Sequence, residues 1–148
     1  MEIAILGLGC FWGPEIKFSK LDGVIKTEVG YCGGHNAETN YKEVCTGSTN
    51  HAEVVKLDYD PKIISYKEIL EFFFKIHDPT TLNSQGPDFG TQYRSEIFYE
   101  TDLQKIEATD ILSQFNKKLD GRIQTNISKI KNYCKAEEYH QKYIEKNR

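Results

Sequence analysis

The alternation of apolar and polar positions divides the chain into short strands and amphipathic helices. Glu2-Ile3-Ala4-Ile5-Leu6 is an apolar run ending at Gly7 and Gly9, and it predicts a buried strand. Cys10-Phe11-Trp12-Gly13-Pro14 follows at once. Pro14 suits a first helical turn, where its missing N–H costs nothing, and Phe18 and Leu21 continue an apolar face until Asp22-Gly23 stops it. Cys10 is therefore expected at or just before a helix N-terminus. Val24 to Tyr31 alternates as a half-buried strand does and runs into the loop Gly30-Tyr31-Cys32-Gly33-Gly34. In Ala52 to Tyr59, Ala52, Val54, Lys56 and Asp58 take one face of a strand and Glu53, Val55, Leu57 and Tyr59 the other, before Asp60-Pro61 closes it.

Ser65-Tyr66-Lys67-Glu68 has the spacing of a capping box and opens a helix through Ile69, Leu70, Phe73 and Ile76. From His77 to Arg94 the periodicity gives way to a long polar loop, a feature that in compact domains is usually functional. Ser95 to Tyr99 predicts a strand, Thr101 with Gln104 a second capping box, Arg122 to Ile130 a further strand, and Ala136 to Glu145 a helix. Strands and helices in this mixed order predict an α+β fold, a ferredoxin-like two-layer sandwich whose mixed, mainly antiparallel sheet is flanked by helices. No repeat or linker divides the sequence, so residues 1–148 are expected to form a single domain.

Charge narrows the function. With 19 Lys and Arg against 22 Asp and Glu the net charge is -3, which offers no footprint for nucleic acid or for an anionic membrane. No apolar run approaches the ~18 residues of a membrane span. The uncharged stretch Ile3 to Gly13 lacks a basic leader, so the expected location is the cytoplasm, where thiols stay reduced. Cys10, Cys32, Cys45 and Cys134 include no C-x-x-C pair, which argues against a structural metal and leaves buried bystanders or redox chemistry.

Among these cysteines Cys10 stands out, because free peptide N–H groups at a helix start stabilise a thiolate. Its neighbours Phe11 and Trp12 point in different directions on a helix and fit a core plug or the wall of a pocket.

Gly9-Cys10-Phe11-Trp12-Gly13 with Glu15 resembles the signature of the A-type peptide methionine sulfoxide reductases. The resemblance continues through Gly30 to Gly34, Tyr41 with Val44, Gly47 and Thr49, His51 to Val55, Tyr59-Asp60-Pro61, and His77 to Thr80 with Asn83. It then takes in Gln85-Gly86 with Asp88, Gly90 to Ser95, and Ala136-Glu137 with Tyr139-His140-Gln141. It implies that Cys10 attacks the sulfur of a methionine sulfoxide, free or in proteins, and becomes a sulfenic acid, and that only the S epimer is taken. Glu53 would be the general acid, kept protonated by an apolar pocket. Tyr41 and Tyr93 would hold the sulfoxide oxygen, Phe11 and Trp12 would receive the S-methyl group, and Asp88 would support the tyrosines. His51 and His140 match family positions and are expected to be structural. No cofactor or metal is implied, only an external thiol such as thioredoxin, glutaredoxin or a small thiol, and the protein is expected to act as a monomer.

Many relatives recycle the sulfenic acid with cysteines in a Gly-rich C-terminal tail, and this sequence, ending at Arg148, carries no match to it. Cys134, where relatives commonly have an aromatic residue, is the first internal resolving candidate, and Cys32 in its glycine loop the second. Cys45 matches a cysteine that relatives often carry without a recycling role. Direct reduction by an external thiol is the alternative. Two rivals of other classes are a cysteine protease, from the loose papain-like layout of Cys10, Trp12 and His140, and a non-enzymatic thiol or aromatic-cage binding module.

Overall fold

The computed structural model describes residues 1–147. Its strands are β1 (Glu2–Leu8), β2 (Val24–Cys32), β3 (Ala52–Tyr59), the two-residue β4 (Ser84–Gln85) and β5 (Asp88–Phe89), β6 (Ser95–Tyr99), β7 (Asn126–Lys129) and β8 (Cys134–Lys135). The helices are α1 (Trp12–Ser19), α2 (Tyr41–Cys45), α3 (Tyr66–Lys75), α4 (Asp102–Lys118) and α5 (Tyr143–Lys146). Six strands form one sheet in the order β7-β6-β1-β3-β2-β8. It is antiparallel except where β6 and β7 run parallel, and β4 pairs with β5 as a separate hairpin. This is the expected mixed, mainly antiparallel α+β sandwich.

Period-two alternation sorts the sheet's side chains onto two faces. Leu6, Val29, Tyr31, Val55, Leu57 and Ile97 pack with Phe18, Ile69, Phe73 and Ala108 of the helices. On the other face Ile5, Cys32, Ala52, Val54 and Phe98 form a smaller cluster that includes Tyr133 at its margin. Glu53, in phase with Val55 and Leu57, belongs to the helix-covered face.

Local chemistry explains most of the boundaries. Ser65 and Glu68 form the reciprocal box, with Glu68 N–H donating to Ser65 Oγ and Ser65 N–H to Glu68 Oε1, both at 3.1 Å. The second box is only half made. Thr101 Oγ1 accepts from Gln104 N–H, but the Gln104 side chain accepts from Glu100 N–H and donates to Ile3 O, which ties α4 to β1. The expected strand at 122–130 is confined to β7. The helix expected at 136–145 is a correction: the chain makes a single 3-10 turn at Glu138–His140 and only the short α5. Gln141 explains this, since its carboxamide accepts from Val29 N–H at 2.9 Å and donates to Val29 O and Ala136 O, binding the segment to β2 in place of a continuous helix.

The long loop is organised around the β4–β5 hairpin. Gln85 accepts from Asp78 N–H at 2.9 Å and donates to Asp78 O at 2.8 Å, closing the loop on itself. The same Gln85 lies over Gly9, where φ is +96° and an added Cβ would meet the Gln85 Cβ and Cγ at 2.9 Å. Gly9→Ala is therefore expected to lower stability by about 2–3 kcal/mol, read as a drop in the thermal midpoint, because both backbone and neighbour oppose it.

Candidate active site

Gly9 turns the chain from β1 toward α1, and Cys10 sits in that turn, one residue before the N-cap Phe11. The Phe11 N–H donates to Glu53 Oε1 at 3.3 Å, so the carboxyl from the middle of the sheet meets the backbone immediately after Cys10. Glu53 is 1% exposed, and its second oxygen has no partner. Burial, opposed only by that one N–H and reinforced by Asp88, raises its pKa from 4.5 to about 8. The side chain is thus a neutral carboxylic acid at neutral pH with one polar atom available to a ligand.

Cys10 departs from the sequence expectation. The Trp12 N–H does point to the sulfur and favours a thiolate, but burial outweighs it, and Glu53, Asp88 and Cys45 add to the same side, so the thiol's pKa rises from 9.0 to about 11. The resting residue is a thiol, because the dipole of a two-turn helix does not offset the loss of water around the sulfur.

Aromatic rings cluster beside this turn, starting from Phe11 and Trp12. Phe11 is buried, with its ring centroid 5.7 Å from Tyr31 and 5.2 Å from His140. Trp12 is partly exposed, stacks on Tyr143 at 3.8 Å, and donates its indole N–H to His140 Nδ1 at 3.0 Å. That bond places the His140 hydrogen on Nε2, and burial, against the pull of Glu137, lowers its basicity and keeps the ring neutral. His140 also lies 4.6 Å from the Tyr41 ring, so it spaces the two aromatic walls.

Tyr41 opens α2, which Asn40 caps by accepting from Glu43 N–H. Glu137 receives the Tyr41 N–H at 3.0 Å and the Tyr31 hydroxyl at 2.8 Å, so one carboxylate positions both. Tyr93 ends a 3-10 turn whose Thr91 O accepts from Arg94 Nη1, while Arg94 Nε holds Glu96 at 2.5 Å on the far face of the sheet. Burial and the proximity of Glu53 raise the Tyr93 pKa to about 12, and burial likewise raises that of Tyr41, so both hydroxyls keep their protons. Asp88, on β5, faces the same group: its charge bears on Cys10, Glu53 and Tyr93.

The fold thus brings Cys10, Phe11, Trp12, Tyr41, Glu53, Asp88 and Tyr93 together. It does not bring Cys32 with them: Cys32 is fully buried on the opposite face, its thiol donating to Lys131 O at 3.4 Å, and it meets the Cys10 sulfur only if the sheet opens. Cys134 lies at the sheet edge in register with Tyr31, two strands out from Glu53, with its thiol 3.6 Å from Thr39 O. The expected structural part of His51 matches a buried ring bonded to Asn132 O at 3.2 Å. Sequence reasoning missed Glu137 and Tyr143, which lie within a matched segment or next to it but announce no partner. It gave Cys45, the last residue of α2 and four residues after Tyr41, no part in the chemistry. Among the described residues no three His, Cys, Asp or Glu side chains are grouped to hold a metal ion, and no helix is long and apolar enough to cross a membrane.

Comparison with known proteins agrees with this geometry. Residues 2–148 match the family model described as peptide methionine sulfoxide reductase. A Pelagibacter ubique protein named peptide methionine sulfoxide reductase MsrA is 73% identical over 146 residues, covering 99% of each chain. Among solved structures, Mxr1 of Saccharomyces cerevisiae in reduced form superposes with a TM-score of 0.95 at 44% identity, over 99% of this chain and 85% of that one. Mxr1 in complex with Trx2 superposes at 0.69 and 30% identity, over 96% and 84%. By family model, identity and fold together, the chain belongs to the A-type peptide methionine sulfoxide reductases.

Proposed function

We propose that the chain reduces the S epimer of methionine sulfoxide, free or in proteins, through a sulfenic acid on Cys10, with Glu53 as the general acid. The observation that carries this reading is the buried, neutral Glu53 carboxyl, one oxygen unpartnered, beside the nucleophile's own turn. A sulfoxide needs two things from such a site. Its sulfur needs a soft nucleophile, and its oxygen needs a proton before the sulfur–oxygen bond can be given up.

Both protons start on the enzyme. Glu53 gives its proton to the sulfoxide oxygen, steadied by the Tyr41 and Tyr93 hydroxyls, and the substrate sulfur becomes a better electrophile. The Cys10 sulfur bonds to it while the thiol proton passes to the carboxylate left on Glu53. The oxygen then leaves as part of Cys10–S–OH, methionine departs, and Glu53 is again protonated. Methionine sulfur has gained two electrons and the Cys10 sulfur has lost two, so the step balances without a cofactor.

Phe11 and Trp12 supply the wall for the S-methyl group. Exchanging methyl and oxygen, as in the R epimer, sets a polar atom against the indole. With racemic free methionine sulfoxide the enzyme is expected to consume the S half and leave the R half, as chiral chromatography would show; equal consumption of the two overturns this assignment. Trp12→Ala is expected to lower kcat/KM for the S epimer by about tenfold or more, the scale of losing one methyl-sized contact surface.

For recycling we infer a dithiol protein of the thioredoxin class, since a relative of this fold has been captured with Trx2. A cytoplasmic, monomeric enzyme is consistent with this, and glutaredoxin or small thiols are alternative donors to compare in the same assay.

A further inference from the structure

Glu15 is a buried acidic residue that the reaction above does not use. It lies in the first turn of α1, three residues after Trp12, where its own N–H closes the turn on Phe11 O at 3.2 Å. Only 2% of the residue is exposed, and both carboxyl oxygens are engaged. Oε2 accepts the Thr27 hydroxyl of β2 at 2.8 Å, and Oε1 accepts the backbone N–H of Lys142 at 2.7 Å. Lys142 holds a left-handed backbone, with φ +51° and ψ +40°, which a lysine adopts only where its surroundings demand it. The next residue, Tyr143, lies flat on the Trp12 indole, with centroids 3.8 Å apart and ring planes 10° from parallel. The indole is therefore held at its N–H by His140 and on its face by Tyr143, and the backbone turn that delivers Tyr143 is bonded to Glu15.

We propose that Glu15 is a positioning residue for substrate: by holding Lys142 in its left-handed turn it keeps Tyr143 stacked on Trp12 and so sets the angle of the wall that receives the S-methyl group. This rests on the reductase reading above. With eight residues in α1 and four in α5, neither helix has the length to hold its own geometry, and the Glu15 bonds tie both to β2. Length and hydrogen bonding at this position can be varied separately. Glutamine keeps both bonds, since its carbonyl oxygen accepts from the Lys142 N–H while its NH2 group donates to the Thr27 hydroxyl, which turns to accept. Aspartate keeps the carboxyl but is one methylene short of spanning from Thr27 to Lys142. Alanine makes neither bond. The S-methyl group needs its wall in the ground state and the transition state alike, so displacing the wall weakens binding more than it slows the chemical step.

The test follows single-turnover methionine release over a series of S-methionine sulfoxide concentrations, together with Trp12 emission, in wild type, E15Q, E15D, E15A, Y143A and E15A/Y143A, with a melting curve showing which are folded at the assay temperature. Trp12 is the only tryptophan, so its emission reads the wall directly. E15A, E15D and Y143A are expected to shift that emission to the red and to raise the half-saturating concentration by about three- to tenfold, with the limiting rate within about twofold of wild type. E15Q should match the wild type in both readouts, and E15A/Y143A should be no worse than Y143A, because the two substitutions act on one stack. Should E15A fail to fold, E15D against E15Q decides. Wild-type emission and half-saturation in a folded E15A, E15D or Y143A, a loss in E15Q as large as in E15D, or additive losses in the double variant overturn the proposal and leave the reductase reading intact. No methionine from the wild type overturns both.

Discussion

Cys10→Ser is expected to abolish reduction of methionine sulfoxide, with turnover down by at least about a thousandfold. A serine hydroxyl is a hard, weakly acidic nucleophile, and its oxidised counterpart, a peroxide, is no stable resting place for the sulfoxide oxygen. The replacement is nearly isosteric in a turn set by Gly9 and the Phe11 N–H, so the thermal midpoint should stay close to wild type. Methionine release followed by chromatography checks the first expectation and a melting curve the second. A folded Cys10→Ser variant that still turns over would remove the nucleophile from the account. It would also favour the binding-module rival, which assigns the thiol no chemistry.

Glu53→Gln is expected to lower turnover by about a hundred- to ten-thousandfold, the usual worth of a general acid. The carboxamide oxygen can still accept the Phe11 N–H, so the site keeps its shape while losing its proton. Stability should move in the opposite direction at alkaline pH. The folded state keeps the Glu53 proton up to about pH 8, whereas the unfolded chain releases it near 4.5. Between those values the folded state binds more protons, so the stability this group contributes below pH 4.5 is lost as pH rises to about 8, at up to about 1.4 kcal/mol per pH unit. The glutamine variant lacks that loss. It should melt higher than wild type at pH 8 and lose the advantage near pH 4, and a variant that melts lower at both would show that the carboxyl is structural.

The parts of the fold legible in the sequence are those written in short-range chemistry. The alternation in Ala52 to Tyr59 placed Glu53 on the face of Val55 and Leu57, and the Ser65–Glu68 spacing located the start of α3. What was not legible depends on partners far along the chain. Residues 136–145 have helical composition, yet Glu137 and Gln141 spend their side chains on Tyr31, Tyr41 and Val29, about a hundred positions earlier, and the segment follows those bonds. Gln104 likewise has the right spacing for a box but answers to Ile3. The candidate site was legible because its residues cluster in matched motifs, but its electrostatics were not. A helix start argues for a thiolate at Cys10, and only the folded structure, in which much of the sulfur is buried, reveals that desolvation prevails.

The resting thiol and the neutral carboxyl make one joint claim, that the enzyme enters the reaction holding both protons. The most direct test is the rate of methionine release in a single turnover, measured from about pH 6 to about pH 10 in wild type and Glu53→Gln. The wild-type rate should hold level and then fall close to tenfold per pH unit above about 8, where Glu53 ionises, and the slow glutamine variant should show no such fall. A wild-type rate that climbs steadily through pH 8, or the same profile in both proteins, would contradict the assignment of Glu53 as the acid.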